Sequence, residues 1–127
     1  MTKLYRVILP VTDIERAATC YTQLLCSRGQ RVSPGRHYFE CGGTILACYD
    51  AAADGDRPRE GWRPHPNQYL YFSVPDLAAA LERASLAGCK IDSAIARMPW
   101  GETLFYARDP FENLICFVDE ATVFTGH

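Results

Sequence analysis

The sequence lacks any long stretch of one character, and this absence excludes several classes of protein. Its 13 lysines and arginines nearly balance 15 aspartates and glutamates, and no basic block is present. We therefore expect no nucleic-acid partner. No apolar run approaches the length that spans a bilayer, so we expect no membrane partner either. Residues 1–6 lack the apolar core of a secretory signal, which favours a cytoplasmic location.

Signals for cysteine pairing are also missing, although the sequence contains six cysteines. No Cys-x-x-Cys pair occurs, and Cys20 and Cys26 do not have the spacing of a zinc finger. Several of the six lie within apolar periodic segments. The pattern therefore predicts small buried thiols in a reducing compartment, and neither a disulfide framework nor a structural zinc site.

Histidine is scarce, and the three histidines form no metal-ligand pattern. They are His37, His65 and His127, and we interpret each as a solvated surface residue. No histidine is placed next to Cys116 by the sequence, and a buried thiol without a nearby base is inert. The sequence therefore predicts no catalytic residue.

What the sequence does contain is two similar halves. The segment from Arg6 to Asp13 matches the segment from Tyr69 to Asp76, and residues 44–49 match residues 114–119. In each half a strand with alternating faces leads through Val-x-Asp into an amphipathic helix, which the aspartate caps. Three further strands follow. Neither half could bury its own sheet alone.

Length and composition predict one domain over 1–127, because a chain that is 48% hydrophobic can bury a sizeable core. Module 1 is expected to span 3–50 and module 2 to span 68–120, joined by a loop over 51–67. The predicted fold class is α+β. Two β-α-β-β-β modules would form a curved, mixed eight-stranded sheet with the helices on its outer face. The concave face would then be the ligand cavity.

Four motifs extend the comparison to a known family: Val11-Thr12-Asp13-Ile14-Glu15-Arg16-Ala17 with Tyr21, Val74-Pro75-Asp76-Leu77, Pro99-Trp100-Gly101, and Phe105-Tyr106-Ala107-Arg108-Asp109-Pro110 with Asn113. On these residues the chain resembles the vicinal oxygen chelate superfamily, which includes glyoxalases, bleomycin- and fosfomycin-resistance proteins and extradiol dioxygenases. The resemblance covers nearly the whole chain. Its motifs are specific for the fold and weak for any one activity.

The resemblance also implies where a catalytic metal would be bound. Metal-dependent members of the superfamily use His, Gln or Glu at four strand positions, which correspond here to Arg6, Leu46, Tyr69 and Cys116. An arginine stays protonated and a leucine has no donor atom. A divalent ion needs three or four convergent ligands, so we expect no metal cofactor.

Strand alternation predicts a mostly apolar pocket that contains one fixed cation. The predicted ligand-binding residues are Arg6, Ile8, Leu46, Tyr69, Tyr71, Trp100 and Cys116. Such a set suits a small, partly aromatic or anionic molecule, which would stack on a tyrosine and pair with the guanidinium. Two alternatives stay open. Arg6 could instead pair with Glu40 or Glu102, and Trp100 could cover the end of a hairpin.

The sequence thus favours a member of the superfamily that has lost the usual metal ligands and binds a small molecule, as the resemblance to bleomycin-resistance proteins implies. The alternative is a metal-dependent lyase, isomerase or dioxygenase of the same superfamily that uses substitute ligands. A third hypothesis is a structural or regulatory module that acts through its dimer surface. The resemblance also implies a homodimer, because such proteins often build their pockets across two chains.

Overall fold

The computed structural model describes residues 1–57 and 66–125, which fall into two compact units, 1–63 and 64–127. The first unit contains the first predicted module and is named module 1, and the second is named module 2. Each combines one α-helix with a mixed sheet, which confirms the predicted α+β class. Within the described residues, no helix is both long and apolar enough to cross a membrane. His65 and His127 lie outside these residues.

Module 1 contains a helix and four strands: β1 (Arg6–Pro10), α1 (Ile14–Leu25), β2 (Gln30–Ser33), β3 (Arg36–Cys41) and β4 (Thr44–Tyr49). The strand order is β1-β4-β3-β2, with β1 parallel to β4 and the other pairs antiparallel. Gly42 and Gly43, both with positive φ, make the predicted two-residue turn between β3 and β4.

Helix α1 begins after Asp13, whose carboxylate accepts a hydrogen bond of 3.1 Å from the backbone N–H of Arg16. Its buried residues recur at helical spacing and so form one face: Ile14, Ala17, Cys20, Tyr21 and Leu24. The Tyr21 ring lies 6.3 Å from the ring of Phe39 in β3. The side of the sheet that carries Phe39 is therefore the helix face of module 1.

The register of β4 fixes which residues share that helix face. Leu46 pairs with Phe39 on one side and with Val7 on the other, and Cys48 pairs with Leu9. Paired residues project to the same face of a sheet. Leu46 is 4% exposed and Cys48 is fully buried, so both belong to the core under α1.

His37 is part of this core and not a surface residue. It is 9% exposed, and its ring centroid lies 5.0 Å from that of Phe39. Arg31 Nε donates to His37 Nδ1 at 3.2 Å, so His37 Nε2 carries the proton and donates to the carbonyl oxygen of Arg28 at 2.8 Å. The prediction of a solvated His37 is wrong, because strand alternation puts it on the same face as Phe39.

The segment that follows β4 is fixed to the turn between β2 and β3. The Asp54 carboxylate accepts hydrogen bonds from the Ser33 hydroxyl at 2.8 Å, from the backbone N–H of Gly35, and from Arg36 Nε at 3.1 Å. The Ser33 hydrogen bond is the largest cause of a lowered pKa at Asp54. The first part of the predicted 51–67 loop is therefore ordered by side-chain contacts.

Module 2 repeats this order, with two short strands in the place of β2: β5 (Leu70–Val74), α2 (Leu77–Leu86), β6 (Lys90–Ile91), β7 (Ala96–Arg97), β8 (Thr103–Arg108) and β9 (Leu114–Asp119). The order is β5-β9-β8-β6, and β7 also pairs with β8. A short 3-10 turn, Glu120–Thr122, follows β9.

The helix face of module 2 is built from stacked phenylalanines. The ring of Phe117 in β9 lies 5.4 Å from Phe72 in β5 and 5.4 Å from Phe105 in β8. Helix α2 begins after Asp76, which accepts from the backbone N–H of Ala79 at 3.1 Å, and packs against β8 and β9. The two modules therefore share a capping aspartate and an aromatic layer under the helix.

The sequence predicted three strands after each helix, and four follow α2, because two short strands, β6 and β7, are present where one was expected. The backbone N–H of Tyr106 donates to the Ser93 side-chain oxygen at 2.9 Å, where a continuous strand would offer a carbonyl. This interruption separates β6 from β7. The described residues therefore hold nine strands in two hydrogen-bonded sheets, one in each module, where eight strands in one sheet were predicted.

Candidate functional site

The side of each sheet opposite its helix is named the open face of that module. Arg6 lies on the open face of module 1, where its Nη1 donates to the Tyr38 hydroxyl at 2.9 Å. The guanidinium carbon is 5.1 Å from the centroid of the Tyr5 ring and 5.4 Å from that of Tyr38. Both distances are within the range of a cation–π contact. Arg6 is therefore held by three contacts that leave its positive charge uncompensated.

Glu40, one of the two carboxylates predicted as a partner of Arg6, interacts with another group. Glu40 accepts a hydrogen bond from the backbone N–H of Gly43. Among the residues that the structure describes, the four ion pairs are Arg31–Glu15, Arg36–Asp54, Arg108–Asp92 and Arg108–Glu112. Arg6 is in none of them. The predicted alternative of an ion pair between Arg6 and Glu40 is therefore wrong.

Leu46 and Arg6 lie on opposite faces, which corrects the predicted pocket. Parallel pairing sets Arg6 beside Ile45, and Ile8 beside Ala47, so Leu46 projects to the helix face. In module 2 the corresponding pair is Tyr71 beside Cys116. Since Ile8 corresponds to Tyr71, Ala47 is the counterpart of Cys116. The alignment of 44–49 with 114–119 is off by one residue, and such a slip moves every side chain to the other face.

The open face of module 2 contains three residues of the predicted pocket, Tyr69, Tyr71 and Cys116. Tyr71 of β5, Cys116 of β9 and Tyr106 of β8 form one row across the sheet. The hydroxyls of Tyr71 and Tyr106 approach to 3.4 Å, so the two side chains meet over Cys116. Tyr69 packs beside them, with its centroid 5.0 Å from Tyr106 and 6.4 Å from Tyr71. We name Tyr69, Tyr71 and Tyr106 the tyrosine cluster.

Burial under the tyrosine cluster keeps Cys116 protonated. The residue is fully buried, and this burial, with a smaller contribution from the charge of Glu102, raises the pKa of the thiol to about 12. The pKa of the Tyr71 hydroxyl is raised as well, mainly by its hydrogen bond with Tyr106. A thiol that is neutral at ordinary pH is not a nucleophile. That Cys116 is chemically inert stays a prediction.

Trp100 lies in the turn before β8 and is 60% exposed. Its indole N–H donates to the Glu102 carboxylate at 2.8 Å. Glu102 itself is half-buried and is in none of the ion pairs of the described residues. It precedes Leu104 and Tyr106 at even spacing and so projects to the same open face.

The residues at the four family positions do not fit a divalent metal. In module 1 they are Arg6, which cannot lose its proton, and Ala47, which has no donor atom. In module 2 they are Tyr69 and Cys116, and the thiol is held in its neutral form. Within 1–57 and 66–125, no three His, Cys, Asp or Glu residues are grouped so that they could hold a metal ion.

Sequence reasoning placed some of these residues correctly and missed others. Arg6 and Ile8 share the open face of module 1, and Tyr69, Tyr71 and Cys116 share that of module 2. Three residues were not predicted as parts of a site: Tyr38, Tyr106 and Glu102. Strand alternation carries the signal for the two tyrosines, because each lies opposite an open-face residue of the neighbouring strand.

Two β-α-β-β-β modules in tandem define a class of α+β proteins whose helices all lie on one side of each sheet. The sequence profile of the Glyoxalase/Bleomycin resistance protein/Dioxygenase superfamily matches residues 3–117, and the chain belongs to this superfamily. This confirms the resemblance seen in the sequence. A comparison with curated protein sequences found none that matches.

Solved structures share the fold. A glyoxalase-related enzyme from Fulvimarina pelagi has a TM-score of 0.79 and 19% identity, covering 95% of this chain and 90% of that one. A family member from Burkholderia phytofirmans PsJN has a TM-score of 0.75 and 16% identity, covering 93% and 98%. Lactoylglutathione lyase from Agrobacterium tumefaciens has a TM-score of 0.70 and 17% identity, covering 94% and 95%. At these identities the likeness establishes the fold alone.

Proposed function

We propose that this protein binds a small molecule with an aromatic group and an anionic group, and that it does so without a catalytic divalent metal. The proposal depends on the contacts and the charge of Arg6. Its guanidinium is positioned by Tyr38 and Tyr5 and has no carboxylate partner among the described residues. A guanidinium fork binds a carboxylate or phosphate through two parallel hydrogen bonds.

Aromatic side chains beside Arg6 support the second half of the proposal. Tyr5 is 60% exposed and precedes β1, and Tyr38 presents both a ring and a hydroxyl on the open face. Planar ligands stack favourably on such rings. Ile8, 46% exposed, adds an apolar contact beside Arg6, whereas Leu46 has no part in the proposal because it projects to the helix face.

The proposal includes the location and the assembly of the protein. We propose a cytoplasmic location, and the six cysteines, none of which is in a disulfide bond, agree with a reducing compartment. We also propose a homodimer, because members of this superfamily often complete their pockets with a second chain. Size measurement in solution tests the dimer, and a monomer at micromolar concentration would contradict it.

Melting-temperature measurements with benzoate and with its uncharged analogue benzamide test the central proposal. We expect benzoate to raise the melting temperature and benzamide to have a much smaller effect. In Arg6→Ala the benzoate effect is lost, and in Arg6→Lys it is reduced, since an ammonium cannot form the paired hydrogen bonds. Arg97→Ala is the matched control, because Arg97 is an exposed arginine on module 2.

Two results would contradict the proposal. The first is a benzoate effect that survives in Arg6→Ala and matches that of Arg97→Ala, because ligand binding would then not depend on Arg6. The second is a stoichiometric divalent ion in the dialysed protein, measured by elemental analysis. That result would favour the alternative of a metal-dependent lyase, isomerase or dioxygenase with substitute ligands.

A further inference from the structure

The tyrosines of the two modules differ in whether a cation covers them. In module 1, Arg6 lies over Tyr5 and Tyr38, and Arg36 lies 4.6 Å from the centroid of Tyr49. Among the described residues of module 2, no arginine or lysine lies over a member of the tyrosine cluster. Tyr5, Tyr38 and Tyr49 of module 1 therefore each have an arginine of the chain over the ring. The described residues provide no such cation for the tyrosine cluster of module 2.

Arg108 is a cation on the open face of module 2, and its guanidinium is held by carboxylates. Arg108 follows Tyr106 by two residues on β8 and so projects to the same face. Its guanidinium forms two hydrogen bonds of 3.0 Å with Asp92 and one of 3.0 Å with Glu112. A side chain held by two carboxylates is not free to move over the rings.

Glu102 gives the same face a negative charge that has no ion pair among the described residues. Its one hydrogen-bonding partner there is the indole N–H of Trp100, which is neutral. A half-buried carboxylate is partly removed from water, so a cation beside it is attracted more strongly than it would be at the surface. Glu102 directly precedes β8, and its even spacing from Leu104 and Tyr106 puts it on the face that carries the tyrosine cluster.

We propose that the open face of module 2 binds an organic cation of the substituted-ammonium class, with its charge directed to Glu102 and its alkyl groups on Tyr71, Tyr69 and Tyr106. The ring centroids lie 5.0 to 6.5 Å apart, so one cation can lie within about 6 Å of two rings. Tyr71 is half exposed and gives access. Met98 packs beside the tyrosines on the buried side chains of Leu104 and Val118, which gives an apolar surrounding for alkyl groups.

This inference goes beyond the proposed function, because it concerns module 2 and does not involve Arg6. Choline and its uncharged carbon isostere, 3,3-dimethylbutanol, are the probes, and binding is measured by calorimetry and by shifts of tyrosine ring signals in nuclear magnetic resonance. Cation–π contacts with two rings and one carboxylate predict a Kd for choline about tenfold lower than for the isostere.

Four variants identify the groups involved. We expect Glu102→Gln and Tyr71→Leu each to raise the Kd for choline at least about fivefold, and Tyr71→Phe to retain it, because the ring and not the hydroxyl carries the contact. Glu82→Gln is the matched control and leaves the Kd for choline unchanged, because Glu82 is an exposed carboxylate on helix α2 of the same module. Tyr71 is half exposed, and circular dichroism checks the fold of each variant. If Tyr71→Leu does not fold, Glu102→Gln alone decides.

Equal binding of choline and its isostere would overturn the inference, since the charge would then contribute nothing. Absence of choline binding, or a Kd for choline that is the same in Glu102→Gln as in the parent protein, would overturn it as well. An equal loss of choline binding in Glu82→Gln would contradict the assignment, since the effect would then follow net charge and not the carboxylate of the open face. Benzoate binding through Arg6 succeeds or fails independently of all these results.

Discussion

Tyrosines occupy the open faces of both modules, and the modules differ in what surrounds them. In module 1 the rings of Tyr5 and Tyr38 support a guanidinium, so this face presents a positive charge. In module 2 Tyr71 and Tyr106 meet over a buried thiol, and Glu102 is a carboxylate of that face that has no ion pair among the described residues. The helix faces, in contrast, are built alike.

This difference separates the residues that specify the fold from those that determine chemistry. Each helix face combines a capping aspartate with aromatic packing, Phe39 in module 1 and Phe117 in module 2. Alternate residues of the same strands project to the other side, where the hydrophobic core does not constrain them. Two modules with one architecture therefore present groups of opposite charge on their open faces.

The largest expected effect concerns the thiol under the tyrosine cluster. At pH 8 a thiol with a pKa of about 12 is ionised in roughly one molecule in ten thousand. We expect iodoacetamide to label the exposed Cys26 at least about 100-fold faster than the buried Cys116. Mass spectrometry of the labelled peptides measures both rates.

The same experiment has a pH dependence of known sign. Because the pKa of Cys116 is raised, its thiolate forms only as the pH rises towards about 12, so its labelling should stay slow across pH 7 to 9. Tyr71→Ala opens the cluster and should increase the rate at Cys116 without changing the rate at Cys26. Similar rates for the two cysteines in the parent protein would refute the closed arrangement over Cys116.

Substitution of the helix-face aromatics tests whether the two cores are equivalent. Phe117→Ala removes the middle ring of the stack in module 2, and Phe39→Ala removes the ring that contacts Tyr21 in module 1. Both are fully buried, so each should lower the free energy of unfolding by about 3 to 5 kcal/mol. Urea denaturation followed by circular dichroism measures the change. A difference above about 2 kcal/mol would show that the modules contribute unequally.

A smaller effect tests the register of β4. Leu46 is buried under α1, so Leu46→Ala should cost about 2 to 4 kcal/mol of unfolding free energy. Ile8 is 46% exposed on the open face, so Ile8→Ala should cost less than about 1 kcal/mol. Denaturant titration of the two variants under identical conditions makes the comparison. The reverse ranking would return Leu46 to the open face.

The smallest expected effect concerns the helix caps, in which the modules are most alike. Asp13 and Asp76 each accept one hydrogen bond of 3.1 Å from the first turn of their helix. Asp13→Ala and Asp76→Ala should each lower the free energy of unfolding by about 1 kcal/mol. Asparagine at either position is the control and should retain most of the stability, because its side-chain oxygen also caps a helix. Costs that differ by more than about 1 kcal/mol would contradict the equivalence of the two caps.

Local signals in the sequence were sufficient for the helices and most strands. The capping aspartates, the Gly42-Gly43 turn and the apolar spacing of α1 each act over a few residues, and the structure has all of them. The interruption between β6 and β7 was not predictable in this way. It depends on a hydrogen bond between Ser93 and Tyr106, which lie far apart in the sequence.

The faces were harder to predict, because they depend on strand register. Matching Ile45 to Ile115 shifted β4 by one residue and placed Leu46 on the wrong side. Asp50 directly follows β4, and Asp119 is the last residue of β9. Matching these two aspartates gives the observed register. His37 was misassigned because its polarity was given more weight than its even spacing from Phe39. Which side chains meet across strands, as Arg6 and Tyr38 do, required the structure.

The contacts around Arg6 have a thermodynamic consequence for association. A free arginine side chain has many rotamers, and a ligand that immobilises it loses part of its binding free energy to that ordering. Here the guanidinium already lies between two rings and donates to a hydroxyl. The conformational entropy of this side chain is thus lost when the chain folds, and an incoming oxyanion meets a donor that is already oriented.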